Sequence, residues 1–297
     1  MPRRWSAPPV VLKLGGELLE EPARVLALAA ALAKLSRTTA LVLVHGGGRE
    51  IDASLARAGI EKRQVDGLRI TDEPTLDIVV GVLAGLINTR LVAALVAAGV
   101  PAVGLTGVDA GIGQVEPAGP HVSRNGEKVD LGRVGEPVGR EKPALLADLC
   151  RKGYVPVVSS IGAARDGRLF NVNADTLAAN LAGRLKSPRL VIAGATAGVL
   201  DSQGGTIADL SFEGIESLIG GGGATAGMIA KLLACRSAVE RGAREVLVAD
   251  GRDVAALAVL AHHGRAAGAA KGTRIFNLKS AKRRQVNRMA AKRRRAS

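Results

Sequence analysis

With 297 residues, 47% hydrophobic but only 2% aromatic, the chain must build its core from Ala, Val, Leu and Ile, which suits parallel strands covered by helices. Two cysteines, Cys150 and Cys235, exclude a disulfide scaffold and fit a reducing compartment, so a cytoplasmic protein is expected. The net charge of +14 is concentrated: residues 279–295 hold nine Lys or Arg and no acid, leaving a mildly basic body that gives no argument for nucleic acid.

The start, MPRRWSAPPV, lacks the apolar stretch of a secretory signal. No uninterrupted apolar run reaches the ~18 residues of a membrane span, so no membrane contact is expected. VVLKL (10–14) predicts a strand that ends at Gly15 and Gly16. PARVLALAAALAKL (22–35) predicts a helix with proline at its start. ALVLVH (40–45) is the next strand, and Gly46, Gly47 and Gly48 follow it. EIDASLARAG (50–59) reads as a helix closed by Gly59, and residues 75–99 as a long apolar helix ending at Gly99. PAVGL (101–105) is a strand, and residues 111–137 read as a β-hairpin excursion. PALLADLCRKG (143–153) is a helix and YVPVVSSIG (154–162) a strand. NADTLAANLAGRL (173–185) is a helix with Asn173 as N-cap. RLVIAG (189–194), AGMIAKLLACRSAVERG (226–242) and EVLVADG (245–251) continue as strand, helix and strand. This alternation predicts an α/β fold, a three-layer αβα sandwich around one large, mostly parallel sheet.

Glycine-rich turns recur where strands end. Lys13 precedes Gly15 and Gly16, Gly46–Gly48 follow the second strand, and GGGGATAG (220–227) precedes the helix that carries Lys231. Ligands of open parallel sheets bind beyond the carboxyl ends of strands. Glycine turns there expose backbone N–H groups that suit an anion. Three such turns, two with a nearby lysine, point to a polyphosphate. Neither G-x-x-x-x-G-K-[ST] nor a G-x-G-x-x-G after the first strand is present.

Longer motifs narrow the reading. VVLKLGG, VHGGGREID, VDGLRITDEPTLDIV, VGLTGVDAG, DLGRVGE, NVNADTLA, AGMIAKLLACRSAVERG, LVADGR and GTRI occur in that order. Over residues 10–275 the chain resembles the amino acid kinase family, and within it the members that phosphorylate N-acetyl-L-glutamate in arginine biosynthesis. The resemblance implies transfer of the γ-phosphoryl of ATP to a side-chain carboxylate, giving an acyl phosphate. Lys13 and Lys231 match the family's catalytic lysines, and Asp175 matches the aspartate that orients both. Gly15, Gly16 and Gly47 match phosphate ligands; Gly46, Gly47, Arg69 and Asn171 match substrate ligands. Magnesium is implied on the ATP phosphates, with no protein ligand of its own. The implied organisation is a substrate-binding and dimerising lobe (1–182), a nucleotide lobe (183–275) and a basic, disordered tail (276–297), in a homodimer.

Because the attacking carboxylate is already ionised, no base is needed and His45 reads as structural. His262 and His263 read as surface residues, Cys150 and Cys235 as buried packing residues. Two positions depart from the family pattern: Ala195 stands where an acid is usual, and Glu17 follows the first glycine pair. Three other functions are weighed. A kinase acting on aminoadipate or glutamate carried by an acidic protein would use a rim of Arg124, Lys128, Arg133 and Arg140. A weakened member with only a binding role is favoured by Ala195. Non-specific polyanion contact would run through the tail.

Overall fold

The computed structural model describes residues 5–123, 125–264 and 272–277. Its central sheet joins β1 (Val10–Leu14), β2 (Leu41–His45), β3 (Ala102–Thr106), β4 (Val155–Ser159), β5 (Leu190–Gly194), β6 (Asp209–Ser211), β7 (Val246–Asp250) and β8 (Thr273–Phe276). The strand order is β6-β8-β7-β5-β1-β2-β4-β3. Every pairing from β7 to β3 is parallel; β8 is antiparallel to β7, and β6 runs with β8. The expected mostly parallel sandwich is therefore found, with an antiparallel edge.

Helices cover both faces: α1 (Pro22–Ser36), α2 (Gly48–Arg57), α3 (Glu73–Ala97), α4 (Ala144–Arg151), α5 (Ala174–Arg184), α6 (Phe212–Gly220), α7 (Ala226–Arg241) and α8 (Val254–His263). Strand side chains alternate between two cores, as their period of two dictates. Val11, Val42, Val44, Val158, Ile192 and Val248 pack with Leu177 and Leu181 of α5 and Leu232 and Cys235 of α7. Val10, Leu12, Leu14, Leu43, Val157 and Val191 pack with Leu28 and Leu32 of α1, Leu91 of α3 and Leu257 of α8. Lys13 follows Val11 on the α5/α7 face. A slip of one residue would drive Lys13 into the other core and turn Leu12 and Leu14 out of it, each worth about 1.5–3 kcal/mol of burial.

The helix α3 starts where the Asp72 side chain accepts the Thr75 N–H at 3.0 Å. Its middle, Gly81–Ile87, widens into a π-helical stretch, an irregularity that re-aims the residues after it. Asp77 and Arg90 interrupt its apolar run, yet a mean hydropathy of 2.0 in its most apolar stretch makes it long and apolar enough to cross a bilayer. The uninterrupted-run criterion missed this. Leu83, Leu91 and Leu95 are nevertheless buried in the protein, and the helix packs on α1, β3 and β4.

The expected excursion at 111–137 resolves into two short antiparallel pairs, Val115–Pro117 with Gly135–Pro137 and His121–Val122 with Lys128–Val129. Strands β6 and β8 and helix α6 had no counterpart in the periodicity. Strand β8 runs through Phe276, where the basic tail was expected to start. The tail from residue 278 lies outside the described residues, as does Arg124.

Candidate active site

Parallel strands β5, β1 and β2 are neighbours, so their carboxyl ends open on one rim. The turn after β1 and the turn after β2 meet there, main chain to main chain. A Cβ on Gly16 would lie 2.9 Å from Gly47 Cα and 3.2 Å from the amide nitrogens of Gly47 and Gly48. A Cβ on Gly47 would overlap Ile87 Cδ1, and one on Gly46 would touch the Ala174 Cβ at 3.4 Å. Glycine at 16 is thus a requirement of close main-chain approach, not of a left-handed turn, whereas at 47 the Cβ would press on the tips of the Ile87 and Leu83 side chains.

Helix α5 begins beside these turns. Asn173 caps it by accepting the N–H groups of Asp175 (2.9 Å) and Thr176 (3.2 Å). That cap aims Asp175 in the first turn at β1, where Lys13 Nζ stands 2.9 Å from Asp175 Oδ1. The pair is nearly sealed, with side chains 12% and 10% exposed. Oδ1 receives charge from the ammonium group without a well-directed hydrogen bond.

Lys231 arrives from α7. Burial pushes the Cys235 thiol up; Asp175 adds to that, and Lys231 and Lys13 oppose it, so all three charges act on one buried sulfur. The Lys231 ammonium group lies 3.3 Å from the point where a Gly194 Cβ would stand. Among the described residues no ion pair links it to Asp175, whose Oδ1 is committed to Lys13. Of the two lysines that one aspartate is expected to orient, Lys13 is the one paired with Asp175 in this structure. Glu17 reaches the same end of β5 without an ion pair to Lys231, and accepts the Ala195 N–H at 3.1 Å. The two positions that depart from the family pattern are thus in contact. Local sequence pattern could not show this, because 178 residues separate them.

On the other side of the glycine turns, Arg69 leaves the short hairpin strand Leu68–Arg69. Its Nη2 pairs with Asp52 and reaches the Gly48 carbonyl at 3.4 Å. Its Nη1 is buried with no hydrogen-bond acceptor. Burial pushes the Asp52 carboxyl up, but hydrogen bonds from Lys62 and Arg69 outweigh it and hold it below the usual carboxylate range. Neither Asp72 nor Glu73 takes Arg69. The Asn171 amide donates to Thr71 Oγ1 at 3.2 Å, and that hydroxyl donates to the Arg69 carbonyl at 3.1 Å. Arg69 and Asn171 are thereby tied through a buried threonine that sequence reasoning passed over.

His45 is buried and neutral. Burial pushes its imidazole down to about 4, against the hydrogen bond to Gly46. Nδ1 donates to the Gly46 carbonyl (3.2 Å), and Nε2 accepts from Asn88 Nδ2 (3.1 Å), which fixes the tautomer. The ring anchors the second glycine turn, a structural role as expected. His262 contacts Thr39 at 2.6 Å, and His263 is exposed. Cys150 and Cys235 are free and buried, the first with its thiol pushed up to about 12 by burial. Of the basic rim, Arg133 is committed to Glu73, with Nε 2.6 Å from Oε1. Arg140 lines a separate cavity of about 1050 Å³ at the carboxyl end of α5.

The amino acid kinase family profile matches residues 8–250. An acetylglutamate kinase of Methanopyrus kandleri is 44% identical over 244 residues, covering 80% of this chain and 93% of its own length. One from Dinoroseobacter shibae is 37% identical over 272 residues, covering 88% and 89%. Among solved structures, an N-acetylglutamate synthase of Neisseria gonorrhoeae, complexed with coenzyme A and N-acetyl-glutamate, superposes with a TM-score of 0.74 at 25% identity. That match covers 90% of this chain and 59% of the synthase.

Proposed function

The chain belongs to the amino acid kinase family, and on that premise we propose that its cleft transfers the γ-phosphoryl group of ATP to the side-chain carboxylate of N-acetyl-L-glutamate. The product is an acyl phosphate, formed for arginine biosynthesis. The observation that carries the reading to this substrate class is Arg69. It is held by Asp52 beside the glycine turns, with a buried Nη1 that has donors to spare. A guanidinium so placed suits a carboxylate, which can accept in parallel from its fork.

Phosphoryl transfer is mostly positioning and charge stabilisation. Lys13 and Lys231 supply positive charge to the oxygens between nucleotide and acceptor. Asp175 fixes the direction of Lys13 and limits repulsion between the two ammonium groups. Without side chains at Gly16 and Gly47 the two turns leave bare main chain at the rim, and the N–H groups of Gly16 and Gly47 suit phosphoryl oxygens; Gly15 stands beside them, its own N–H given to the Ala193 carbonyl at 2.9 Å. Gly46 and Gly47 also border the acceptor, with Arg69 and Asn171. Family members generally use ATP with magnesium; here the nucleotide phosphates at those turns would carry the ion, which would offset part of their negative charge. No residue need act as base, and the neutral, buried His45 is not available as one.

The same reading gives residues 1–182 to the acceptor and 183–275 to the nucleotide. It includes a homodimer through the outer face of α3 and the edge strand β3. Support comes from the exposed Val96 and a shallow cavity of about 460 Å³ between helix and edge, lined by Asn88, Val92 and Leu105. A cytoplasmic setting goes with two free, buried thiols. Any polyanion contact of residues 279–295 would be non-specific and weaken steeply with salt.

The test is hydroxamate trapping of acyl phosphate with MgATP and either N-acetyl-L-glutamate, free glutamate or a carrier-linked substrate. Turnover of N-acetyl-L-glutamate is expected. Turnover of the carrier-linked substrate alone would overturn the choice of acceptor, and MgATP binding without any turnover would leave only the binding role.

A further inference from the structure

Resting on the kinase reading above, which gives Arg69 and Asn171 to the acceptor, we propose that Thr71 is a positioning residue for both: its hydroxyl holds the Arg69 main chain with its proton and the Asn171 amide with its oxygen. Thr71 is fully buried, two residues beyond Arg69. Its main chain is fixed independently of the hydroxyl. The Thr71 N–H donates to the Leu131 carbonyl at 3.0 Å, and the Thr71 carbonyl accepts the Arg133 N–H at 2.6 Å. Gly132 lies so close to that carbonyl that a Cβ there would overlap it. Asn171 is joined to the same segment, its main-chain N–H donating to the Arg133 carbonyl at 2.9 Å. Residues 131–134 therefore run between Thr71 and Asn171, with parallel bridges from Thr71 to Gly132 and from Val134 to Asn171. These main-chain bonds hold the segments together without help from the Thr71 side chain.

The hydroxyl has different work. It donates its proton to the Arg69 carbonyl at 3.1 Å, and its oxygen accepts from Asn171 Nδ2 at 3.2 Å. The direction of this short chain follows from its end. A carbonyl can only accept, so the hydroxyl spends its one proton there and has only lone pairs to offer Asn171. Asn171 must then turn its NH2 edge to Thr71, which decides the way its amide faces. One N–H is used; the second N–H and Oδ1 are left for a ligand. At the other end, the Arg69 main chain is pinned where its side chain sets out towards Asp52 and the Gly48 carbonyl. The Nη1 of that side chain is buried with no acceptor. One buried oxygen thus sets the spacing between two groups that the proposed reaction needs on one substrate. A valine would fill nearly the same space but would leave the Arg69 carbonyl and the Asn171 amide without this partner.

The test is Thr71→Val, read by the KM and the calorimetric Kd for N-acetyl-L-glutamate. Both should rise about 5–30-fold, the effect of removing a buried hydrogen-bond partner. The kcat and the Kd for MgATP should change less than about threefold, since the loss falls on acceptor binding. Thr71→Ser keeps the hydroxyl and should stay within about threefold of wild type. In an Asn171→Ala background, Thr71→Val should cost at most about threefold, because one of the two groups it holds is gone. Unchanged KM and Kd in Thr71→Val, a loss confined to kcat, a Thr71→Ser protein as impaired as Thr71→Val, or the full loss again in the Asn171→Ala background would each overturn the proposal. If Thr71→Val does not fold, Thr71→Cys replaces it: a thiol donates and accepts only weakly, so KM and Kd should still rise severalfold, and no rise refutes the proposal. A crystal structure of unliganded Thr71→Val supplies a readout independent of turnover. The Asn171 amide should leave its place while the main-chain bonds of position 71 to Leu131 and Arg133 remain; an unmoved Asn171 refutes the proposal. Wild-type protein that neither binds nor phosphorylates N-acetyl-L-glutamate would instead refute the kinase reading, and the crystal structure would still decide the role of Thr71.

Discussion

Adding one methyl group at Gly16 tests whether the two glycine turns must touch. In Gly16→Ala the new carbon would lie 2.9 Å from Gly47 Cα and 3.2 Å from the amide nitrogens of Gly47 and Gly48. All three are main-chain atoms, which cannot rotate aside. Carbon contacts are comfortable at about 3.5–4.0 Å, so the turns must part by roughly half an ångström or more. Over-packing of this kind costs about 1–3 kcal/mol. For a chain of this size that is a fall in Tm of roughly 2–5 °C. The same displacement moves the phosphate-binding amides relative to Lys13, and misplacement approaching an ångström lowers turnover by about 100-fold. Hydroxamate formation at saturating MgATP and N-acetyl-L-glutamate should therefore drop by about 10–100-fold. Gly48→Ala is the comparison for stability: its Cβ meets nothing within 4 Å, and alanine is the better helix former at the start of α2. Its Tm should hold or rise. A Gly16→Ala protein with wild-type kcat and Tm, or equal destabilisation by both variants, would refute the idea that main-chain contact sets the geometry of the two turns.

Arg69→Ala should raise KM for N-acetyl-L-glutamate by roughly 10–100-fold, the value of a charge-assisted hydrogen bond, with a smaller effect on kcat; a kcat effect alone would contradict the assignment. Lys13→Ala and Lys231→Ala should lower kcat by at least about 100-fold with little change in KM, since they act on developing charge; steady-state kinetics in both substrates separates the classes. His45 links stability to pH. The unfolded imidazole binds a proton below its ordinary 6.5, whereas the folded one resists protonation down to about 4. Stability should therefore fall as pH drops through that window, by about 2 kcal/mol at pH 5 relative to pH 7. Urea midpoints at the two pH values measure it, and His45→Gln should remove that part of the slope. Both cysteines should react with a thiol reagent only on unfolding, because burial raises their thiols and blocks access.

Strand alternation and glycine position were legible because they are local. The run Val10–Leu14 with its glycine pair announces a strand and a turn, and Asn173 announces a helix start. The pairing of Lys13 with Asp175 was accessible only through resemblance to relatives, since the two are 162 positions apart. Glu17 on the Ala195 amide, and Arg69 held by Asp52, needed the folded chain. In each case the partner is chosen by how strands and helices stack, not by nearby sequence. Short strands such as Asp209–Ser211 are three residues long, too few for a period of two to stand out. The π-helical stretch in α3 is invisible for a different reason: Gly81–Ile87 has the composition of any apolar helix.

The aliphatic core has an optical consequence. The only tryptophan, Trp5, and the only tyrosine, Tyr154, both precede strands, β1 and β4. Those strands are parallel members of one sheet, and the main-chain N–H of Trp5 donates to the Arg151 carbonyl at 3.3 Å. The two chromophores therefore sit at the amino end of the sheet, across its full width from the glycine turns. Intrinsic fluorescence reports the docking of the N-terminal segment and is blind to the cleft. A nucleotide bearing a near-ultraviolet fluorophore would light up against a dark background, with no indole close enough to quench it or be mistaken for it.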